Sequence, residues 1–255
     1  MKILLLDIEC APNLATVWGI WQQNIALNQL LESSYTLCYA AKWYGESKIM
    51  FDSVYKSNRK HMLQGIHKLM DEADAIVHYN GLQFDIKMLN GEFLQSGMPP
   101  PSPAKHIDLL RVARSQFRFV SNKLDYVAQR LGLGKKTDHE GHELWLKVMN
   151  NDRAAWKRME EYNKNDVILL EKIYDKFKGW ISNHPNHNSF SNSTVCPNCN
   201  STRLTKQGSF ITSSRKYQRY QCKDCGKWSK SVKSEKVNHD LVTRYKENYE
   251  YNRSL

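Results

Sequence analysis

The apolar positions of this chain follow two periods, and the switches between them outline its elements. Residues 2–8 (KILLLDI) are almost continuously apolar, which predicts a central strand covered on both faces. Residues 36–44 (TLCYAAKWY) and 48–55 (KIMFDSVY) are rich in β-formers, with Gly45, Glu46 and Ser47 as a hairpin turn between them. Met62, Ile66, Leu69 and Met70 then recur at helical spacing over residues 58–72, behind Asn58 as a cap. Residues 75–79 (AIVHY) predict a strand, 85–96 a helix, and 107–110 a short strand after the loop MPPPSP. Residues 123–181 read as helical, interrupted near 132–141 and near Asn150. Three strands, helix, strand, helix, strand and then helices predict the α/β class, as a mixed sheet flanked by helices.

The pattern stops at 182–194. Asn, Ser, His and Pro dominate NHPNHNSFSNST, so a linker without a packed element is expected there. It divides a domain at 1–181 from a small unit at 195–236, followed by 237–255 as a polar tail or short helix. The 255 residues carry 41% hydrophobic side chains, enough for a core in the larger unit. Net charge is +11, which favours a polyanionic partner such as nucleic acid. Residues 181–255 hold 13 Lys+Arg against 5 Asp+Glu, and the rest of the chain 24 against 21. No apolar run has the length of a membrane span, and MKILLLDIE is too short and too acidic for a signal peptide. Six cysteines, four of them in one metal-type pattern, are too few and too clustered for a secreted disulfide scaffold, so a reducing cytoplasm is expected, that of a host if the chain is phage-encoded. Cys10 and Cys38 read as small buried thiols.

Acid beside apolar residue is the feature a folded core normally avoids, and it recurs three times. Asp7 and Glu9 lie two apart on the first strand, so both project from one face. Asp85 follows a strand and reads equally well as a helix N-cap or as a ligand. Tyr162 and Asp166 are four apart, on one face of a helix. Four carboxylates brought together repel unless divalent cations neutralise them, which points to a two-metal phosphodiester-cleaving site.

The segments DIE (7–9), NGLQFD (80–85) and YNKND (162–166) resemble the three exonuclease motifs of the DEDDy family. These are 3′→5′ exonucleases of RNase H-like fold and include the proofreading domains of family B DNA polymerases. APNLATVWGIW (11–21) and KLDYVAQRLGL (123–133) are also similar to members of the family, so the resemblance covers residues 1–180. It implies two Mg²⁺ or Mn²⁺ ions. Asp7 bridges both, Glu9 and Asp166 complete the nucleophile side, and Asp85 holds the leaving-group side, partly through water. Such ions, about 3.5–4 Å apart, clamp a scissile phosphate. Tyr162 orients or helps deprotonate the attacking water; with an ordinary pKa near 10 it is a poor base alone. The implied reaction releases nucleoside 5′-monophosphates from DNA 3′ ends, preferably single-stranded. The rival readings are an exoribonuclease, an endonuclease, and a non-catalytic adaptor with a vestigial nuclease fold.

Other residues in this unit have competing readings. Asn80 and Phe84 are candidates to touch the terminal nucleotide, although a core aromatic is the first expectation for Phe84. Asp108 is a further acid or a cap, His78 a hydrogen-bonded core histidine, and Trp18 and Trp21 are expected as core residues ahead of base-stacking platforms. His139, Glu140, His142 and Glu143 suggest a metal site by type, but their spacing lacks a third convincing ligand, so a solvated loop leading into a helix is expected.

In the small unit Cys196, Cys199, Cys222 and Cys225 form CxxC–x22–CxxC, the ligand set of a closed structural Zn²⁺ site. Two disulfides or an iron centre are the alternatives. Among the residues around the knuckles, Arg215, Lys216, Arg219, Tyr220, Lys227 and Trp228 interleave cations with aromatic rings, as phosphate contact plus base stacking requires. The pattern CPNCNSTRLTKQG…RYQCKDCGKW resembles zinc ribbons of transposase-type and transcription-related proteins. That resemblance implies docking to nucleic acid, or to a replication or repair protein.

Overall fold

The computed structural model describes residues 1–236, and the chain divides into two compact units, residues 1–185 and residues 186 onward. The segment 237–255, expected as a tail or short helix, lies outside the described residues.

In the first unit the continuous apolar run becomes β1 (Ile3–Cys10), the middle strand of its sheet. The excursion that follows contains two short strands, β2 (Leu14–Ala15) and β3 (Leu30–Glu32). Next come β4 (Thr36–Trp43), β5 (Ile49–Ser53), α1 (Arg59–Asp71), β6 (Ala75–His78), α2 (Asp85–Gln95) and β7 (Lys105–Asp108). The helices α3 (Leu109–Gln116), α4 (Leu124–Arg130), α5 (His142–Met149) and α6 (Arg153–Phe177) complete the unit. The sheet runs β5-β4-β1-β6-β7, with β4 antiparallel and β6 parallel to β1. This is the mixed, helix-flanked α/β sheet that the alternation of elements predicts.

Strand alternation sorts the core into two layers and decides where the acids point. Leu4, Leu6 and Ile8 pack with Met62, Leu63 and Ile66 of α1 and with Leu89 and Phe93 of α2. Ile3 and Leu5 face the other way, onto Val112 of α3, Val127 of α4, and Val167 and Leu170 of α6. Asp7 and Glu9 continue that second face, so the pleat aims both carboxylates at the α6 side of the sheet. The β1–β4 register shifts between Glu9 and Cys10, an irregularity of the kind that re-aims side chains beside functional sites.

Caps set several boundaries. Asn58 accepts from the His61 N–H at the start of α1, as its sequence position predicts. Asp108 accepts from the Leu110 and Arg111 N–H groups, ending β7 and opening α3. The expected strand at 107–110 therefore shifts: it runs from Lys105 to Asp108, and 109–116 form a helix, with Leu109, Leu110, Val112 and Ala113 buried. The segment expected as a bare linker also holds structure. His184 is buried against the Tyr174 hydroxyl at 2.6 Å, and His187–Phe190 make one 3-10 turn.

The second unit is built on β9 (Arg215–Cys222), which pairs antiparallel with β8 (Leu204–Ile211), β10 (Trp228–Lys230) and β11 (Glu235–Lys236). Each knuckle closes on itself. Asn200 N–H donates to the Cys196 carbonyl at 3.1 Å, and Gly226 N–H to the Cys222 carbonyl at 3.1 Å. Gly226 sits at φ +74°, where a side chain is disfavoured.

Candidate metal centres

Two groups of ligand-type side chains converge among the described residues: Asp7, Glu9 and Asp166, and Cys196, Cys199, Cys222 and Cys225. In each group the ligand atoms lie within 4.8 Å of one another.

The acidic group joins residues far apart in sequence. Helical spacing places Tyr162, Asn163, Asp166 and Val167 along one buried stripe of α6. That stripe faces the side of β1 from which Asp7 and Glu9 project. Asp166 is buried, and its Oδ1 has no hydrogen-bond partner. Buried carboxylate oxygens are hard donors that divalent cations prefer, so an orphaned one beside two further acids fits a metal ligand. Burial, then repulsion from Asp166, pushes the Glu9 carboxyl up to about 8. Asp7 is raised by burial and by Asp166, Glu9 and Asp85.

Asp85 stands outside the three-membered group but beside it, since its Oδ1 accepts the Ile8 N–H at 3.2 Å. Ile8 lies between Asp7 and Glu9, so that bond ties the second motif to the first. Burial moves the Asp85 carboxyl up to about 6. Asp85 is not an N-cap: Phe84 holds that position, and Asp85 opens the helix with its carboxylate turned to β1.

Two residues of this centre carried no signal of their own. Asn163 donates from Nδ2 to Asp7 Oδ2 at 2.6 Å. It lies within YNKND, three before Asp166, so the helical period alone marks it as sharing the acid's face. Lys136 hydrogen-bonds Asp166 Oδ2 and donates to the Tyr162 hydroxyl at 2.9 Å. Burial disfavours its ammonium, but Asp166 and Tyr162 outweigh that and keep it charged. Lys136 follows a Gly-rich turn with no periodicity, so only the fold reveals it. Burial and then Asp166 raise the Tyr162 hydroxyl well above its ordinary range.

The loop carrying the second motif is braced from below. Asn80, at φ +68°, donates its N–H to Asp108 Oδ1 at 3.0 Å, and Gly81 N–H donates to His78 Nδ1 at 3.1 Å. A Cβ at Gly81 would meet His78 Cγ at 2.6 Å, so only glycine permits this approach. His78 is thus a hydrogen-bonded core histidine through Nδ1, and Asp108 takes its cap role. Phe84 and Asn80 are exposed. The core expectation for Phe84 fails because Ile86 and Leu89, not Phe84, face the sheet from α2. Trp18 and Trp21 are exposed as well, since the β2–β3 excursion leaves the sheet and has no core behind it. His139, Glu140, His142 and Glu143 form no ligand cluster: Glu140 pairs with Arg158, and the His139 ring lies 4.8 Å from that of Tyr162.

In the second unit the Cys196–Cys225 and Cys199–Cys222 Sγ pairs are each 3.6 Å apart. A disulfide needs about 2.05 Å. A tetrahedron of Zn–S bonds of about 2.3 Å has edges of about 3.8 Å. The donors therefore fit a single Zn²⁺. Burial opposes a Cys222 thiolate, but the Cys225 and Asp224 N–H groups outweigh it and lower the thiol to about 7. Of the candidate nucleic-acid contacts, Arg215, Arg219 and Trp228 share one face, because Trp228 pairs with Gln221 and Lys230 with Arg219. Lys216 and Tyr220 alternate onto the other face. Arg219 lies 5.2 Å from the Trp228 ring centre, and Lys230 lies 4.4 Å from those of Phe210 and Tyr217. Lys227 is half-buried beside the thiols.

The model of the family described as RNase_H superfamily matches residues 6–178. No curated protein matches the sequence. Among solved structures, the family B DNA polymerase of the hyperthermophilic archaeon Pyrobaculum calidifontis is similar, with a TM-score of 0.55 at 17% identity. The match covers 70% of this chain and 25% of the polymerase, a likeness of fold.

Proposed function

Since this chain belongs to the RNase H superfamily, we propose that it is a divalent-metal-dependent 3′→5′ exonuclease of the DEDDy type, acting preferentially on single-stranded DNA ends. The observation that carries this reading is the convergence of Asp7, Glu9 and Asp166 within 4.8 Å, with Asp85 bonded to the strand between the first two. Asp7, Glu9 and Asp166 would hold one Mg²⁺ or Mn²⁺, and Asp7 with Asp85 a second. When bound, the ions neutralise the carboxylates, lower the pKa of a water and stabilise charge on the scissile phosphate.

The protein's own groups prepare that site. Asn163 fixes the Asp7 carboxylate through its 2.6 Å bond, and the Ile8 N–H does the same for Asp85. Tyr162 keeps its proton at neutral pH, because its hydroxyl is raised above the ordinary range. It therefore acts as a hydrogen-bonding group that orients the attacking water, not as the base. Lys136 holds Tyr162 and Asp166 together and supplies a positive charge next to the site. Exposed Phe84 offers a ring for the terminal base, and exposed Asn80 an amide for the terminal nucleotide.

The four-cysteine unit is read as a zinc ribbon that adds nucleic-acid affinity through Arg215, Arg219, Trp228 and Lys230. A tethered second contact raises the effective concentration of the strand at the acids even when each contact is weak.

The test is incubation with Mg²⁺ or Mn²⁺ and 5′-labelled single-stranded DNA, duplex DNA and RNA of one sequence. The expected result is a ladder shortening from the 3′ end, fastest on single-stranded DNA. A single internal cut would make the protein an endonuclease, and faster RNA trimming an exoribonuclease. No product at all would leave a nucleic-acid-binding adaptor.

A further inference from the structure

The excursion between β1 and β4 starts and ends beside the acids. Ala11 N–H donates to the Tyr35 carbonyl at 2.8 Å, and Cys10 pairs with Thr36 next to the Glu9–Cys38 pair. Beyond that neck it is a braced arm. Thr16 N–H donates to the Gln29 carbonyl at 2.9 Å, and Gln29 Nε2 returns a bond to the Thr16 carbonyl at 3.0 Å. Gln29 Oε1 also accepts the Ala26 N–H at 2.9 Å, and Asn13 Oδ1 accepts the Ser34 N–H at 2.7 Å. This bracing presents uncovered apolar surface: Trp18 is fully exposed and Trp21 is 82% exposed. Exposed apolar patches of this kind mark interaction sites.

Charge identifies the occupant. Residues 11–31 contain no Asp, Glu, Lys or Arg, in a chain in which 25% of residues are charged. Asn and Gln supply the polar positions instead. A surface made for phosphates would carry cations. Bases are flat and uncharged, with donor and acceptor edges that amides match, and they stack on indoles whatever their sequence. Trp18 follows Glu9 by nine residues, so it lies no further than about 30 Å from the acids along even an extended chain. That is the span of a few nucleotides.

We propose that the arm of residues 11–35 is a base-stacking platform for the single strand leading to the scissile end, with Trp18 and Trp21 each covering a base. This inference rests on the exonuclease reading of the adjoining carboxylates. The arm holds the strand by its bases while the acids and their metals engage the phosphate.

The test uses the full chain in four forms: wild type, Trp18→Ala/Trp21→Ala, Trp18→Phe/Trp21→Phe and Trp18→Leu/Trp21→Leu. Affinity for a labelled oligothymidylate is read by anisotropy with Ca²⁺ in place of Mg²⁺. Hydrolysis of the p-nitrophenyl ester of thymidine 5′-monophosphate, which has no upstream base, is read with Mg²⁺. The alanine pair is expected to weaken strand binding by on the order of ten- to a hundredfold per lost stack, with ester hydrolysis unchanged. The phenylalanine pair should retain most of the affinity and the leucine pair should lose it. Unchanged strand affinity in the alanine pair overturns the platform, as does a leucine pair that binds as well as the phenylalanine pair. An alanine pair that turns a dimer into a monomer without touching strand affinity makes the arm a self-association surface instead. If the wild type with Mg²⁺ hydrolyses neither the ester nor the oligothymidylate, the exonuclease reading fails, and strand affinity with and without the tryptophans still decides the platform.

Discussion

Asp7, Glu9 and Asp166 stand at the edge of two apolar layers that fill both faces of a five-stranded sheet. The four cysteines stand in a unit whose buried residues, among those described, are Val195, Cys196, Asn198 and Cys222. The first centre stores repulsion, which the surrounding core tolerates. The second has almost no core to lean on, so its ligands must hold the unit together. On the proposed reading, a metal would serve chemistry at the acids and folding at the thiols.

The strongest way to break this contrast is at the cysteines. Cys196→Ser, or chelation of zinc, should melt the second unit, because structural zinc contributes about 10–16 kcal/mol in small domains. Amide NMR signals of residues 195–236 should collapse while those of the sheet unit persist. If both units stay folded, the thiols are not structural.

At the acids the outcome should be reversed. Asp7→Ala should lower metal-dependent nucleotide release by about 10³-fold, an effect of about 4 kcal/mol on the barrier. Its melting temperature without metal should hold or rise, because one of several repelling carboxylates is gone. A large drop in melting temperature would mean that Asp7 is there for the fold.

Protons sharpen the same point. Folded Glu9 keeps its proton up to about 8 and folded Asp85 up to about 6, while the unfolded chain releases both in the ordinary carboxylate range. Raised acid pKa values stabilise the fold fully below that range, and the contribution is lost as pH climbs to about 8. Metal-free protein should therefore melt at lower temperature at pH 8 than at pH 5. Mg²⁺ should restore more at pH 8 than at pH 6, since at pH 6 it must displace protons. Calorimetry with a pH-independent Mg²⁺ effect would contradict this.

Lys136→Met tests how the unliganded acids are held. It leaves buried Asp166 without its ammonium and should cost about 1–3 kcal/mol in urea unfolding without divalent metal. Added Mg²⁺ should shrink the loss, since it supplies the missing positive charge.

The smallest expected effect lies on the ribbon face. Arg219→Ala should reduce the slope of log affinity against log salt by about 0.7–1 if that guanidinium meets a phosphate. An unchanged slope would assign Arg219 to packing on Trp228.

Legibility in the sequence followed the range of the interactions involved. The CxxC pairs could be read because knuckle geometry is local and thiols have few other uses at that spacing. The strand and helix order was legible from period, and the Asp7–Glu9 pair from its place on an apolar strand. The exposure of Phe84, Trp18 and Trp21 was not legible, because large rings usually fill cores and period cannot tell which element leaves the sheet. The helix at 109–116 was hidden by a strand that ends on its own cap, Asp108.

What the sequence by itself determined was therefore the set of parts: alternating elements, acids on one face of a strand, a tyrosine and an acid one turn apart, and two knuckles. The tertiary structure alone decided that Asp166 meets Asp7, that Lys136 and Asn163 serve that meeting, and that two tryptophans are left in solvent. Pairings between residues 156 and 159 positions apart depend on how α6 packs across the sheet, and nothing in the local period encodes that packing.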